Sequence, residues 1–152
     1  PVEQVVEEML CFGWIDSTAR PLDADRRMLY VRPRKPKSMW SKVNKARVER
    51  LIADKRMTAA GLKVIETAKS NGSWNALDHA EAFVMPPELT RALARNKLAK
   101  KHFEAFPPSA RKFILTRIGQ AKTEGTRTKY ISETVRLAAL NIRYGQPLRP
   151  KP

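Results

Sequence analysis

Cysteine, histidine and long apolar runs are scarce in this 152-residue chain, and each scarcity excludes a class of protein. The lone Cys11 excludes an intramolecular disulfide and any CxxC motif, and it favours a reducing, cytoplasmic location. The two histidines, His79 and His102, lie far apart and show no spacing typical of a zinc site. No stretch approaches the roughly 18 apolar residues of a membrane span, so the sequence predicts no transmembrane segment.

The common catalytic motifs are also absent. The chain contains no P-loop, GxGxxG, HExxH or GxSxG pattern. The sequence therefore predicts no catalytic residue, no metal ligand and no cofactor, and the interpretation leans away from an enzyme.

Positive charge is what the sequence has in excess. It carries 30 Lys and Arg against 15 Asp and Glu, a net charge of +15 at pH 7. Residues 97–152 alone hold 13 Lys and Arg against three acidic residues. Apolar residues make up 42% of the chain, enough for a packed core. The composition is that of a globular protein whose charge favours anionic partners.

Hydrophobic periodicity and capping signals predict a series of helices with one small β element. A helix over about 1–12 ends at Gly13, and two short strands follow over 14–17 and 28–32. Further helices are predicted over about 42–55, 58–71 and 126–144, and after Pro86 and Pro108. The predicted fold class is α+β, predominantly α-helical with a small N-terminal β-hairpin or sheet.

These elements are expected to form a single domain over residues 1–144. Its N-terminal α/β part covers about 1–72 and its C-terminal helical part about 86–144, and residues 145–152 are expected to be a flexible basic tail. The chain opens at Pro1 inside a helical pattern, so further sequence, possible leader included, is expected upstream.

The segment Arg32-Pro33-Arg34-Lys35-Pro36-Lys37-Ser38-Met39-Trp40-Ser41-Lys42 is the main candidate for binding. Its cations suit phosphate, the Trp40 ring suits a stacked base, and the start of the following helix adds unpaired N–H groups. Trp14 and Asp16 are candidates for additional lining of the same site. The competing interpretation is a solvated basic loop in which Trp40 fills the core.

A second basic patch is predicted in the C-terminal part. It comprises Arg111, Lys112, Lys122, Arg127 and Lys129. A solvated helix face is the favoured explanation for most of these cations. Arg117 is different because it falls inside the apolar stripe of its helix, where a charge must extend to solvent or find a partner.

Two groups of residues form recognisable motifs. The first is Cys11-Phe12-Gly13-Trp14-Ile15-Asp16-Ser17 followed by Arg32 to Asn44, and the second is Pro107-Pro108-Ser109-Ala110-Arg111 with Ala121-Lys122 and Thr126-Arg127. Over residues 2–144 the chain resembles the YdeI/OmpD-associated family, also called bacteriocin-protection proteins. It departs from that pattern at Arg117, where an aromatic residue is expected, and at Gly125, where an acid is expected.

The resemblance implies a bacterial protein with a role in stress tolerance towards bacteriocins or antimicrobial peptides, and it implies no reaction or cofactor. Such peptides are typically cationic, so a protein of charge +15 is repelled by them. Protection is therefore expected to be indirect, through an anionic partner: a nucleic acid, an anionic metabolite or an anionic membrane surface. A sequence-tolerant nucleic-acid-binding protein and an enzyme acting on a small anionic substrate remain the alternatives.

Overall fold

The computed structural model describes residues 2–145, except that the side chains of residues 16–18 are not described. Within this range the elements are α1 Val2–Cys11, β1 Trp14–Pro21, β2 Arg27–Pro33, α2 Lys42–Ala53, α3 Ala59–Ser70, α4 Asp78–Glu81, α5 Pro87–Ala94, α6 Lys97–Ala105, α7 Pro108–Gly119 and α8 Glu124–Ala139. The predicted fold class is confirmed: the chain is predominantly helical, with a two-stranded antiparallel hairpin near its N-terminus. The tail predicted for 145–152 lies outside the described residues beyond Gly145.

The chain divides into two compact units, Pro1–Leu77 and Asp78–Pro152. The assignment of a single domain to residues 1–144 stays a prediction. In the first unit, α1, α2 and α3 bury one cluster of side chains, which consists of Val6, Leu10, Cys11, Trp40, Val48, Leu51, Ile65 and Ala68. Ser41 caps the N-terminus of α2, because its hydroxyl accepts a hydrogen bond from the N–H of Asn44.

The Cys11 carbonyl is the point at which α3 meets the end of α1. It accepts hydrogen bonds from the backbone N–H of Thr58 at 3.1 Å and from its hydroxyl at 2.7 Å. Gly61 permits this approach, since a Cβ atom there would lie 2.2 Å from the Cys11 oxygen. Gly13 then reverses the chain with φ of +75°, a conformation that glycine adopts without strain. Burial raises the pKa of the Cys11 thiol, as expected for a packing cysteine.

The hairpin is longer than its sequence pattern indicates. Ladder pairing runs from Trp14 opposite Pro33 to Pro21 opposite Arg27, with an irregularity in β1 between Asp16 and Ala19. Asp23 forms the turn, where its carboxylate accepts hydrogen bonds from the N–H groups of Asp25 and Arg26. The Asp23 carboxylate thus acts as an Asx turn, a role that suits an aspartate in a short hairpin loop.

The second unit has its own core, built from α4 to α8. Its buried members are Ala80, Leu89, Leu93, Ala99, Phe103, Phe106, Ile114, Leu115, Ile118, Ile131 and Ala138. The helix that begins at Pro87 ends at Ala94, and a second helix follows it, because the side chain of Asn96 caps the start of α6. The last helix begins at Glu124, behind the cap Thr123, and ends before residue 144, since Asn141 has φ of +56°.

Arg117 finds its partners in two tyrosine rings. Its guanidinium carbon lies 4.2 Å from the ring centroid of Tyr130 and 4.4 Å from that of Tyr144. The Tyr144 hydroxyl donates a hydrogen bond to Glu133 at 3.3 Å. The charge in the apolar stripe has therefore found partners, the faces of two aromatic rings.

Candidate functional site

The basic segment between β2 and α2 is fixed to the α1–β1 turn at its start. The N–H of Arg34 donates a hydrogen bond to the Gly13 carbonyl at 3.0 Å, immediately after the hairpin pair Trp14–Pro33. The motif around Gly13 and the motif around Arg34 are therefore joined in space. This contact gives a structural reason for the two motifs to occur in one chain.

Arg34 and Trp40 pack together inside the first unit. The Arg34 guanidinium carbon lies 3.7 Å from the Trp40 ring centroid, and its Nη2 donates to the Met39 carbonyl at 2.5 Å. Only 6% of Arg34 and 1% of Trp40 are exposed. Trp74 lies against Trp40 with their ring centroids 5.0 Å apart. The structure thus gives Trp40 the packing role that the sequence left open, and its ring is enclosed by protein groups.

The neighbouring cations of the segment are exposed. Arg32, Lys35, Lys37 and Lys42 all present their side chains to solvent. The backbone that carries them is held in place, because the Pro36 carbonyl accepts hydrogen bonds from Asn71 Nδ2 at 2.8 Å and from Ser73 Oγ at 3.2 Å. A turn bond from the N–H of Ser38 to the Lys35 carbonyl adds to this anchoring. We call these four exposed cations the basic loop.

Trp74 contributes an aromatic surface that was not among the predicted site residues. Its ring is partly exposed, and the Nζ atoms of Lys45 and Lys69 lie 5.5 and 5.3 Å from its centroid. Ser73, which directly precedes Trp74, donates its hydroxyl to the Pro36 carbonyl. The Trp74 ring therefore lies close to the backbone of the basic loop. No local sequence pattern predicts this arrangement, because Lys45 comes from α2, Lys69 from α3 and Trp74 from the loop after α3.

The helix α2 continues the positive surface. Lys42, Arg47 and Arg50 line a shallow groove of about 430 Å³ along it, together with Val43 and Ala46. The first turn of α2 contains no acidic residue, which leaves the partial positive charge of the helix start uncompensated by a carboxylate of that turn. Arg50 also forms an ion pair with Glu7 of α1.

Trp14 and Asp16 stand apart from this group. Trp14 is 40% exposed and lines a shallow apolar groove of about 280 Å³ with Glu8, Met9 and Phe12. The backbone of Asp16 pairs with Val31 in the hairpin, and its side chain lies outside the described part of the structure. Backbone pairing in the hairpin places both residues opposite the neighbours of Arg32, but the described side chains show no contact between Trp14 and the four exposed cations.

The second basic patch consists largely of residues with partners in the protein. Lys112 pairs with Glu81 at 2.5 Å, and Arg127 pairs with Glu88 at 3.3 Å. The Arg111 guanidinium lies 5.2 Å from the ring centroid of Phe83. Lys122 and Lys129 are exposed. These contacts favour the interpretation of a solvated helical surface with local ion pairs.

Histidine chemistry is not indicated in the described residues. His102 Nδ1 lies 2.8 Å from the Ala138 carbonyl, a contact that ties α6 to α8. Across residues 2–145 no group of three His, Cys, Asp or Glu side chains is placed to hold a metal ion. No helix in that range is long and apolar enough to cross a membrane.

Comparison with known families divides the chain at nearly the same place as its fold does. Residues 82–141 match the family described as "Bacteriocin-protection, YdeI or OmpD-Associated". Residues 1–64 match a separate family, described as "Domain of unknown function (DUF8412)". No curated protein and no solved structure matches the chain. The resemblance noted in the sequence is confirmed over 82–141, whereas its first motif lies in the segment matched by the other family.

Proposed function

We propose that this chain, whose residues 82–141 match the family described as "Bacteriocin-protection, YdeI or OmpD-Associated", acts in antimicrobial tolerance by binding a phosphate-bearing polyanion through its N-terminal unit. The surface that binds it comprises the basic loop and the Trp74 ring with its two lysines. The role is indirect, because the positive charge of the protein opposes association with a cationic peptide.

The observation that carries this proposal is the anchored position of the basic loop. Lys35 and Lys37 flank Pro36, whose carbonyl is held by two side chains from the end of α3. Cations on a fixed backbone lose less conformational entropy on binding than cations on a free one. A site built in this way binds a chain of phosphates more tightly than scattered surface lysines do.

Trp74 supplies the second element of such a site. Its two neighbouring ammonium groups attract phosphate, while its ring offers a face for a base or sugar. We therefore expect single-stranded nucleic acid to bind at least as well as a duplex. Because electrostatic contacts to phosphate do not read base edges, we expect the affinity to depend little on the nucleotide sequence.

The test is fluorescence anisotropy of labelled single-stranded and duplex oligonucleotides across a series of salt concentrations. For the wild-type chain we expect saturable binding and a linear decrease of log K with log salt. The double change Lys35→Ala/Lys37→Ala removes two phosphate contacts and lowers that slope by about 1.4 for a single strand. Lys45→Ala/Lys69→Ala has a similar effect on the slope.

The matched control is Arg27→Ala/Lys63→Ala, which removes the same charge from exposed positions of the same unit. This variant keeps the wild-type slope if the basic loop is the site. An equal effect of both double variants would show that only net charge matters. Absence of saturable binding at low salt, to the oligonucleotides and to vesicles of an anionic phospholipid, would contradict the proposal.

The cellular role is tested with the same variants. Bacteria expressing the wild-type chain are expected to survive a bacteriocin better than bacteria expressing Lys35→Ala/Lys37→Ala at equal protein level. Direct binding of a cationic bacteriocin by the purified protein would contradict the indirect role. Vesicle binding without oligonucleotide binding would identify the anionic membrane surface as the partner.

A further inference from the structure

The C-terminal unit contains a cavity that the proposed function does not use. It has a volume of about 350 Å³ and lies between α5, α6 and the first turns of α7. Its apolar wall includes Met85 and the buried core residues Leu93 and Phe103. A cavity of this size is at the lower end of the range of small-molecule sites.

One cation faces this apolar wall. Arg111 lines the cavity, and its Nε is shielded from solvent and has no hydrogen-bond acceptor. Among residues 2–145, no carboxylate pairs with the Arg111 guanidinium, whose one ring contact is with Phe83 at 5.2 Å. Only the Nε atom is withdrawn from solvent, and a half-buried guanidinium without a counter-ion is a favourable site for an anion.

Arg117, in the same helix, has surroundings that differ from those of Arg111. Its Nε is also buried without an acceptor, but two tyrosine rings at 4.2 and 4.4 Å enclose its guanidinium. The more distant Phe83 ring covers Arg111 on fewer sides. Arg117 is thus a satisfied structural cation, whereas Arg111 retains capacity for a ligand.

The other charged groups of the cavity limit the charge of that ligand. Lys100 pairs with Glu104 at 3.8 Å within α6, so these two exposed side chains largely cancel each other. A single guanidinium remains to balance the ligand. A monoanionic carboxylate matches it, whereas a phosphate monoester, with close to two charges, usually requires more cations.

We propose that this cavity binds a small amphipathic carboxylate. Its carboxylate pairs with the Arg111 guanidinium, and its apolar body lies against Met85, Leu93 and Phe103. Such a ligand has two sources with the same chemistry, a short fatty acid or a hydrophobic residue at the C-terminus of a peptide. The site is distinct from the N-terminal basic loop.

Calorimetric titration of the whole chain with octanoate tests the carboxylate, and octanamide serves as the uncharged control. We expect saturable octanoate binding and an affinity for octanamide lower by about tenfold or more, because a hydrogen bond to a charged group is lost. N-acetyl-leucine is titrated in parallel. A preference for it assigns the site to peptide termini, and a preference for octanoate assigns it to acyl chains.

Two variants locate the site. Arg111→Ala weakens octanoate binding by about tenfold, whereas Arg136→Ala removes the same charge from an exposed position on α8 and leaves binding unchanged. Ala94→Phe fills the cavity from an exposed position, so it abolishes binding without disturbing the core. In ¹⁵N spectra the Nε–H signal of Arg111 shifts on octanoate addition.

The proposal is overturned by any of three results. These are equal affinity for octanoate and octanamide, unchanged binding by Ala94→Phe, and no binding of either carboxylate at millimolar concentration.

Discussion

Because α3 lies so close to the Cys11 carbonyl, we predict that Gly61→Ala lowers the free energy of unfolding. Helix propensity alone predicts the opposite change. Alanine is more favourable than glycine inside a helix by up to about 1 kcal/mol. At position 61, however, the new Cβ would lie 2.2 Å from the Cys11 oxygen and 2.8 Å from Met57 Cε. The methionine terminus can rotate away. The carbonyl is backbone, so relief requires the end of α1 and the start of α3 to separate by about 1 Å, as judged from ordinary contact distances.

That separation affects more than the contact itself. Overpacking of a dense core costs about 1 to 3 kcal/mol. The shift also weakens the two hydrogen bonds from Thr58 to the same oxygen, each contributing about 1 kcal/mol. After the gain in helix propensity is subtracted, we expect Gly61→Ala to lower the free energy of unfolding by about 2 kcal/mol.

The matched control is Gly125→Ala, which also lies in the first turn of a helix and would place its Cβ in open space. This variant is expected to be as stable as the wild type or more stable, by up to about 1 kcal/mol. Urea denaturation followed by far-UV circular dichroism measures both. Tryptophan fluorescence adds a readout of the N-terminal unit, because all three tryptophans lie in it. Wild-type stability of Gly61→Ala would refute the contact between α3 and the Cys11 carbonyl.

The remaining predictions concern the packed arginine and the hairpin turn. Arg34→Lys keeps the charge but loses the planar group stacked on Trp40, so unfolding followed by tryptophan fluorescence should show a loss of about 1 to 2 kcal/mol, whereas Arg32→Lys shows none. In the turn, the Arg26 side chain and then its N–H hold the pKa of Asp23 below its ordinary value. This carboxylate therefore stabilises the turn above its unfolded pKa, and the contribution is lost as pH falls through the folded pKa. An NMR titration should find the depressed pKa, and Arg26→Ala should return it towards the ordinary value; an unchanged pKa in that variant would assign the shift to the backbone donors.

Local signals in the sequence accounted for the starts of helices better than for the positions of side chains. Ser41 and Asp23 act through neighbours within three residues, so their cap and turn can be predicted from the sequence. Trp40 depends on Trp74, which lies far along the chain, and its burial follows only once α3 is in place. The start of α6 at the Asn96 cap is not among the predicted elements, because asparagine is also common where a helix ends and does not by itself mark a new helix.

The candidate sites also divide into features set by residues close in sequence and features set by residues distant in the chain. The basic loop is visible in the sequence because its four cations lie within eleven residues of one another, and all four are exposed as a binding site requires. The lysines beside Trp74 and the unpaired guanidinium of Arg111 are defined by residues distant in the chain. Periodicity reports which face of a helix is apolar but does not report which distant side chain meets it.

The two hydrogen bonds that hold the Pro36 carbonyl set a spacing as well as a position. With the backbone fixed between Lys35 and Lys37, the distance between the attachment points of their side chains varies little. In the proposed site, such a pair would favour anions whose charges recur at a matching interval over anions with a single charge or with irregularly spaced charges. Selectivity among polyanions would then come from chain geometry, and the rigidity of α3, which contributes Ser70 next to the Asn71 donor, would determine how strict that selection is.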